Sequence, residues 1–226
     1  MVSPITGIDV VLKYAAGTTS DLTNEAMNVV NDEYPGVTDY TVYEITDSAK
    51  RYLDRSVVPT FQKYNGSTWD PIPASDIAEI QYAGGRLILK EPLGPTDSVR
   101  VSTGKYFSNV QDIIFANVTK CTWKSNFVDI TKFTDSAKIQ YPTVDEWNAT
   151  IDTFVVIDNG DFPQLQNLKD LATNPLIAII YLKMTNDVRL EGYCFIESKD
   201  ISIVPDDVIK ESISLKGDGP LYLRLV

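Results

Sequence analysis

Carboxylates are the only plentiful side chains in this sequence that could perform acid–base chemistry. The 226 residues include 31 Asp and Glu but no His. Without imidazole the chain lacks the commonest general base and metal ligand, which excludes Ser-His-Asp and Cys-His catalysis. A glycoside hydrolase needs two carboxylates about 5–9 Å apart. The candidates, among which spacing selects no pair, are Asp129, Glu146, Asp152, Asp158, Asp161, Glu191 and Glu197.

Most of these acids stand at expected turns or on polar strand faces, so we interpret them as solvated surface. The segment Asp158–Asp161 is similar to a calcium loop, but Gly160 lies in the wrong place for a helix–loop–helix site. Two cysteines, Cys121 and Cys194, are too few for a zinc site of four thiolates, and we expect both to be reduced core residues. The sequence therefore predicts no catalytic, cofactor-binding or metal-binding residue and no cofactor.

The charge balance excludes two classes of partner. There are 20 Lys and Arg against 31 Asp and Glu, a formal net charge of −11. A chain this acidic repels phosphate backbones and has no polybasic segment for anionic membranes. The longest apolar run, Leu176 to Leu182, suits a buried strand and is too short to span a bilayer. We expect a soluble protein with no membrane anchor, made in a reducing cytoplasm.

Alternation of apolar and polar residues predicts that most of the chain is β-strand. Trp147, Ala149 and Ile151, for example, alternate with polar residues, which is the period of a half-buried strand. Asn65-Gly66, Ala83–Gly85 and Gly217–Pro220 supply turn chemistry between strands. The predicted strands are Val37–Ile45, Ser56–Tyr64, Ile77–Tyr82, Arg86–Lys90, Ser98–Ser102, Ile113–Ile130, Trp147–Ile157, Leu176–Lys183, Val188–Ile196, Ile209–Lys216 and Leu221–Val226.

Two segments have helical spacing. In Ser20–Asn31, apolar residues recur at steps of three and four. In Phe162–Ala172, four apolar residues form one stripe after a possible capping box, and Asn174-Pro175 ends it. The predicted fold is mainly β: a β-sandwich or partly open barrel with one packed α-helix, plus an N-terminal β-rich lobe with a short helix. The lobe spans residues 1–107 and the sandwich residues 108–226, and one composite domain is favoured over two independent ones.

Aromatic residues are concentrated in the N-terminal lobe. Strands select aromatic side chains for packing alone, which is the favoured interpretation. Exposed aromatics could instead form a protein interface or a sugar-binding platform, with Trp69 as its centre. The residues concerned are Tyr34, Tyr40, Tyr43, Tyr52, Tyr64 and Trp69.

The C-terminal half resembles a known family. Leu190–Ser198, Ile201–Val208 and Glu211–Leu221 form a strand, a polar corner and a strand that closes in a Gly-x-Gly-Pro-Leu turn. This order resembles the end of the tail tube proteins, or major tail proteins, of tailed bacteriophages. Further upstream, Asn117–Trp123, Trp147–Ile151 and Phe162–Ala172 resemble two strands and the single helix of that family. The resemblance covers residues 110–226.

The resemblance implies a structural role in the virion. Tail tube proteins form rings, usually hexameric, that stack around a tape-measure protein and contact other tail proteins, and the genomic DNA passes through the channel without specific binding. The family has no catalytic residues, so we expect no enzyme. Assembly would take place in the cytoplasm of the bacterial host. The alternatives are a β-sandwich module of a tail appendage that binds a receptor or sugar, a carboxylate-dependent hydrolase, and a tail terminator or connector.

Overall fold

Two antiparallel β-sheets make up the described part of the chain. The computed structural model describes residues 8–15, 18–30, 40–129, 140–154, 176–183, 188–202 and 210–224. The strands are β1 (Ile8–Ala15), β2 (Thr19–Val29), β3 (Val42–Ile45), β4 (Thr60–Tyr64), β5 (Trp69–Pro71), β6 (Ile77–Gln81), β7 (Arg86–Leu89), β8 (Ser98–Phe107), β9 (Val110–Asp129), β10 (Gln140–Phe154), β11 (Leu176–Lys183), β12 (Val188–Ser202), β13 (Lys210–Gly217) and β14 (Tyr222–Arg224). The prediction of a mainly β protein is confirmed.

The first sheet closes on itself, and we call it the barrel. Its strand order is β11-β1-β9-β10-β13-β12-β14, and β11 also pairs with β12. That additional pairing joins six strands into a ring, with β14 continuing the line of β13 along β12. The predicted alternation is confirmed at Trp147, Ala149 and Ile151, which all point into the barrel. The barrel core also contains Leu12, Leu176, Ala178, Ile180, Cys194, Ile213, Leu215 and Leu221.

Strand β11 is buried on both faces. Leu176 and Ala178 belong to the barrel core, whereas Ile177 and Ile179 belong to a second cluster on the outer side. Buried strands of this kind are nearly continuous in apolar residues rather than alternating. The run from Leu176 is therefore a buried strand, as predicted, because the second sheet covers its outer face.

The second sheet, which we call the appended sheet, contains the strands of residues 19–107. Its order is β5-β4-β8-β2-β3-β7-β6. Strand β1 precedes it and pairs with β9 and β11 of the barrel, although residues 1–107 were predicted as one lobe. Ala15 pairs with Val110, and Thr19 pairs with Phe107. Its core contains Leu22, Met27, Tyr43, Ile45, Leu53, Phe61, Ile72, Leu87, Leu89, Val99 and Val101.

The helix predicted for Ser20–Asn31 is wrong, because this segment is strand β2. Asn24 has φ of 53°, in the left-handed region that few non-glycine residues adopt. The buried positions change from Leu22 to Met27 across this kink, an odd step that breaks the strand alternation. The sequence therefore has no period of two there. The second predicted helix, Phe162–Ala172, lies outside the described residues.

The helices of the described residues are two 3-10 turns, Ser48–Lys50 and Ala74–Asp76. The first is capped by Asp47, whose side chain accepts a hydrogen bond from the backbone N–H of Ala49 at 3.0 Å. Within the described ranges, no helix is long and apolar enough to cross a membrane.

Candidate assembly site

A β-hairpin projects from the barrel along β9 and β10. Beyond Val118, β9 pairs with β10 alone among the described residues, and before Asn148, β10 pairs with β9 alone. Roughly ten residues at about 3.3 Å each give a projection of about 30 Å. Each arm leaves one edge of backbone N–H and C=O groups without a strand partner in the described chain. Such edges form a template for pairing with another chain.

The described side chains on one face of this hairpin are polar and exposed. They are Lys120, Thr122, Lys124, Glu146 and Asn148. Lys124 lies opposite Glu146 in the ladder, so the pair combines opposite charges across the two strands. The same face continues onto the barrel, where most of the described residues are hydrophilic and the half-buried Phe195 lies opposite Lys216. The hydrophilic residues there are Thr150, Asp152, Ser198, Asp200, Ser212, Ser214 and Lys216.

Trp147 anchors the base of the hairpin in the barrel core. Its side chain is buried, and its indole Nε1–H donates to the carbonyl of Gly219 at 3.0 Å. Gly217 packs against the ring so closely that an added Cβ would lie 2.2 Å from Nε1. Only a glycine leaves room for the indole at this point. The predicted turn Gly217–Pro220 is thus also a lid over Trp147.

An apolar seam joins the appended sheet to the barrel. Tyr193 of β12 is buried there, and its hydroxyl donates to the carbonyl of Leu53 at 2.8 Å, with the carbonyl of Tyr82 at 3.3 Å. Phe107 contacts the Tyr193 ring edge-on, with ring centroids 6.3 Å apart. Burial raises the pKa of Tyr193 well above its ordinary value, so the phenol remains a neutral donor.

A buried ion cluster lies beside this seam. Glu44 of β3 accepts from Arg86 at 3.1 Å and from Arg51 at 2.7 Å, both in the appended sheet. Arg224 of β14 reaches the same carboxylate from the barrel at 2.9 Å. Glu191 of β12 pairs with Arg189 at 2.6 Å and lies 3.6 Å from Arg224. Charged groups from both sheets therefore share one desolvated cluster.

Charged residues of both sheets shift the pKa of Arg51. Burial lowers its pKa from the ordinary value, and the nearby Glu44 opposes that effect. Arg224 and Arg86 lower the pKa further, and Glu191 raises it. Residues of the barrel thus act on a guanidinium of the appended sheet.

The described carboxylates considered for catalysis lie in different surroundings. Glu146, Asp152 and Glu197 are exposed, and Glu191 is held by arginines in the ion cluster. Glu146 and Asp152 lie six positions apart on β10, about 20 Å along a strand, which exceeds the spacing of a glycosidase pair. The side chain of Asp129, together with Asp158 and Asp161, lies outside the description. The described residues contain no group of three that could hold a metal ion.

Both cysteines are free thiols packed in or against the barrel core, as predicted. Cys194 is fully buried, and burial raises its pKa far above the ordinary value. Cys121 is half-buried, and burial raises its pKa as well. Because the thiolate is the reactive form, neither residue is poised as a nucleophile.

The aromatic residues of the appended sheet serve mainly in packing. Tyr43 is buried in the sheet core, and Tyr64 packs on Trp69 with ring centroids 5.2 Å apart. The guanidinium of Arg100 lies 4.0 Å from the Trp69 ring centroid and donates twice to Gln62. A sugar platform needs a free aromatic face, and Arg100 covers one face of Trp69. Tyr34 lies outside the described residues.

The residues of the ion cluster were not singled out from the sequence. Arg86 directly precedes the buried Leu87, and Glu44 stands between Tyr43 and Ile45, which are also buried. A charge flanked by core residues within a strand is a signal for a buried pair, since charges are almost never fully buried unless paired. The partner could not be identified, because Arg224 lies far away in the sequence.

No model of a known protein family matches this chain, and no curated protein matches it. Among solved structures, it is similar to a protein in the tail of an empty GTA particle with C6 symmetry, at 12% identity and a TM-score of 0.38, over 50% of this chain and 85% of that chain. A chain in the virion of a native gene transfer agent particle matches at 13% identity and a TM-score of 0.39, over 50% of this chain and 88% of that chain. The SPP1 tail tube matches at 14% identity and a TM-score of 0.34, over 75% of this chain and 77% of that chain.

Proposed function

We propose that this protein is a structural subunit of the tail tube of a tailed bacteriophage or a related phage-derived particle. Copies associate into hexameric rings, and the rings stack around a channel through which the genome passes. The partners are further copies of the same chain, a tape-measure protein and other tail proteins. The proposal assigns no catalytic residue and places the protein in the virion after assembly in the bacterial host.

The observation that carries the proposal is the projecting β9–β10 hairpin. A two-stranded ribbon is marginally stable in water on its own, and its open edges favour pairing with another chain. A neighbouring copy would cover both edges, and the same contact repeated around an axis would close a ring. The barrel offers no comparable edge between β11 and β12, because those strands pair with each other. Self-association through the hairpin follows from this difference.

The outer face of β13 and of β10 from Thr150 onward is the surface that we assign to the channel. The described residues there are small hydroxyl side chains mixed with charges of both signs, as Ser212, Ser214 and Asp152 illustrate. The appended sheet covers a different part of the barrel, around β11 and Tyr193. A net charge of −11 also weakens any hold on DNA phosphates. A hydrophilic, weakly binding wall suits passage of DNA.

The test is electron microscopy of purified protein in negative stain, over a series of protein and salt concentrations. Hollow tubes or stacked rings are the expected result, with a uniform diameter and variable length. Particles that stay monomeric at every concentration and bind glycans on an array would instead support the appendage module. Rings that never stack would support a terminator or connector.

A matched pair of variants locates the contact. K120Q with T122E lowers the charge of the exposed hairpin face by two units, and T23E with N28E lowers the charge at exposed positions of β2 by the same amount. We expect the hairpin variant to lose tubes while keeping the wild-type unfolding curve, and the β2 variant to form tubes. Tubes formed equally by both variants would contradict the role given to the hairpin.

A further inference from the structure

The segment from Gly217 to Arg224 contacts both sheets, and we call it the strap. On the barrel side, Leu221 is buried in the core, and the carbonyl of Gly219 accepts from Trp147. Strand β14 adds pairing with three residues of β12, Arg189–Glu191. The strap is therefore part of the barrel, held there by the β14 ladder, by the buried Leu221, and by hydrogen bonds from Trp147 to the Gly219 carbonyl and from the Asp218 N–H to the Tyr193 carbonyl.

Three side chains of the strap reach the appended sheet. Asp218 pairs with Arg55 at 2.8 Å, and its carbonyl also accepts from that guanidinium. The hydroxyl of Tyr222 donates to the carbonyl of Ile80 at 3.4 Å. Arg224 pairs with the buried Glu44 at 2.9 Å. These contacts are spread along the whole strap, from its turn to its last described residue.

The polar contacts of the strap add to the direction that the Tyr193 hydroxyl gives the seam through its hydrogen bonds to the carbonyls of Leu53 and Tyr82. The apolar packing of the seam is itself non-directional and tolerates sliding of one surface over another. Charged hydrogen bonds are directional, and a buried carboxylate that loses one of its partners is costly. Moving the appended sheet would separate Glu44 from Arg224 and Ile80 from Tyr222. The strap contacts thus select one orientation of the two sheets.

We propose that the strap is a latch whose contacts with the appended sheet set the orientation of that sheet on the barrel. Arg224 and Asp218 are its positioning residues. When these contacts are lost, both sheets keep their own cores, because their described core clusters share no residue with each other. What changes is the freedom of one sheet relative to the other. This inference holds whether or not the protein forms a tube.

Hydrogen exchange of the full-length protein, read by mass spectrometry, tests the latch. R224M keeps the side-chain length and removes the charge, whereas R224K keeps the charge. For R224M we expect at least tenfold faster exchange in the strap and in the facing segments 44–55 and 80–86. Peptides from the two cores, 99–101 and 213–215, should exchange as in the wild type. R224K should recover part of the protection.

K105M is the matched control, because Lys105 makes an exposed pair with Asp21 at 4.0 Å, within the appended sheet. It should leave the exchange of the facing segments unchanged. If R224M unfolds as a whole, R55M decides, since that pair is more than one-third exposed and its loss leaves no buried charge. Faster exchange in the strap alone, with the facing segments still protected, would overturn the proposal. So would wild-type exchange in both R224M and R55M.

Discussion

At Gly217, one contact decides whether substitution by Ala stabilises or destabilises the protein. Its backbone is not in the left-handed region, since the described glycines with positive φ are Gly66, Gly85 and Gly219. Replacing such a glycine by Ala ordinarily stabilises a protein by about 0.4–1 kcal/mol, because the unfolded chain loses freedom. Here the new Cβ would lie 2.2 Å from Nε1 and 2.5 Å from two carbons of the Trp147 ring. We therefore expect G217A to destabilise.

The magnitude follows from the two effects of displacing Trp147. Overpacking a core costs about 1–3 kcal/mol. A shifted indole also loses its hydrogen bond to Gly219, which contributes about 0.5–1.5 kcal/mol. The free energy of unfolding should fall by about 2–4 kcal/mol, and for a chain of this length Tm should fall by about 5–15 °C. Urea unfolding followed by far-UV circular dichroism measures the change.

Two further variants separate the steric overlap between the new Cβ and Trp147 from the other effects of replacing a glycine. G66A has nothing within 4 Å of its Cβ but has φ of 97°, so its cost of about 1 kcal/mol is backbone strain alone. W147A removes the ring atoms that meet the new Cβ. In a double-mutant cycle, W147A should suppress the cost of G217A by about 1–3 kcal/mol. An unfolding free energy for G217A equal to or above that of the wild type would refute the reasoning.

Three other predictions concern titration, thiol reactivity and aromatic exposure. Burial raises the pKa of Tyr43 from 10.0 to about 12, so the folded state favours the neutral phenol. The stabilisation from this raised pKa should be complete below about pH 10 and should be lost as the pH rises toward 12. Y43F should remove that loss in unfolding curves measured at a series of pH values. Iodoacetamide should leave Cys194 unmodified and modify Cys121 slowly in the native protein, and both should react rapidly in urea, as mass spectrometry would show. R100M should cost at most about 1 kcal/mol, since the cation–π contact is partly exposed, and it should raise acrylamide quenching of the Trp69 fluorescence.

Strand content was predictable because most strands alternate regularly or are continuously apolar. Leu176–Lys183 was predicted with the bounds it has in the structure, and the turns at Asn65-Gly66 and Gly217–Pro220 also lie between strands. Strand β2 was not predictable by the same rule. The left-handed Asn24 changes which residues point inward, and a local kink of this kind leaves no period in the sequence.

The assignment of strands to sheets depends on contacts that sequence proximity does not reveal. β1 lies next to β2 in the chain, yet it belongs to the barrel, because its partners β9 and β11 come much later. The ion cluster could not be predicted for the same reason. Glu44 and Arg224 stand 180 positions apart in the chain, and the packing of the two sheets brings them within 2.9 Å.

The order of synthesis gives strand β1 an unusual position. The chain leaves the barrel at Ala15 and returns at Val110, and these two residues pair with each other. Every strand of the appended sheet is made between them, so that sheet can fold on the ribosome while β1 still waits for its partners. N-terminal units generally fold first during translation, whereas long-range pairing is slow. β1 is made before the appended sheet, but both of its edges are paired only after β9 and β11 have emerged, and the barrel closes only after β12 and β13. Nascent chains arrested after residue 107 should therefore contain a folded appended sheet carrying a free apolar strand, the stage at which this protein would most need a chaperone.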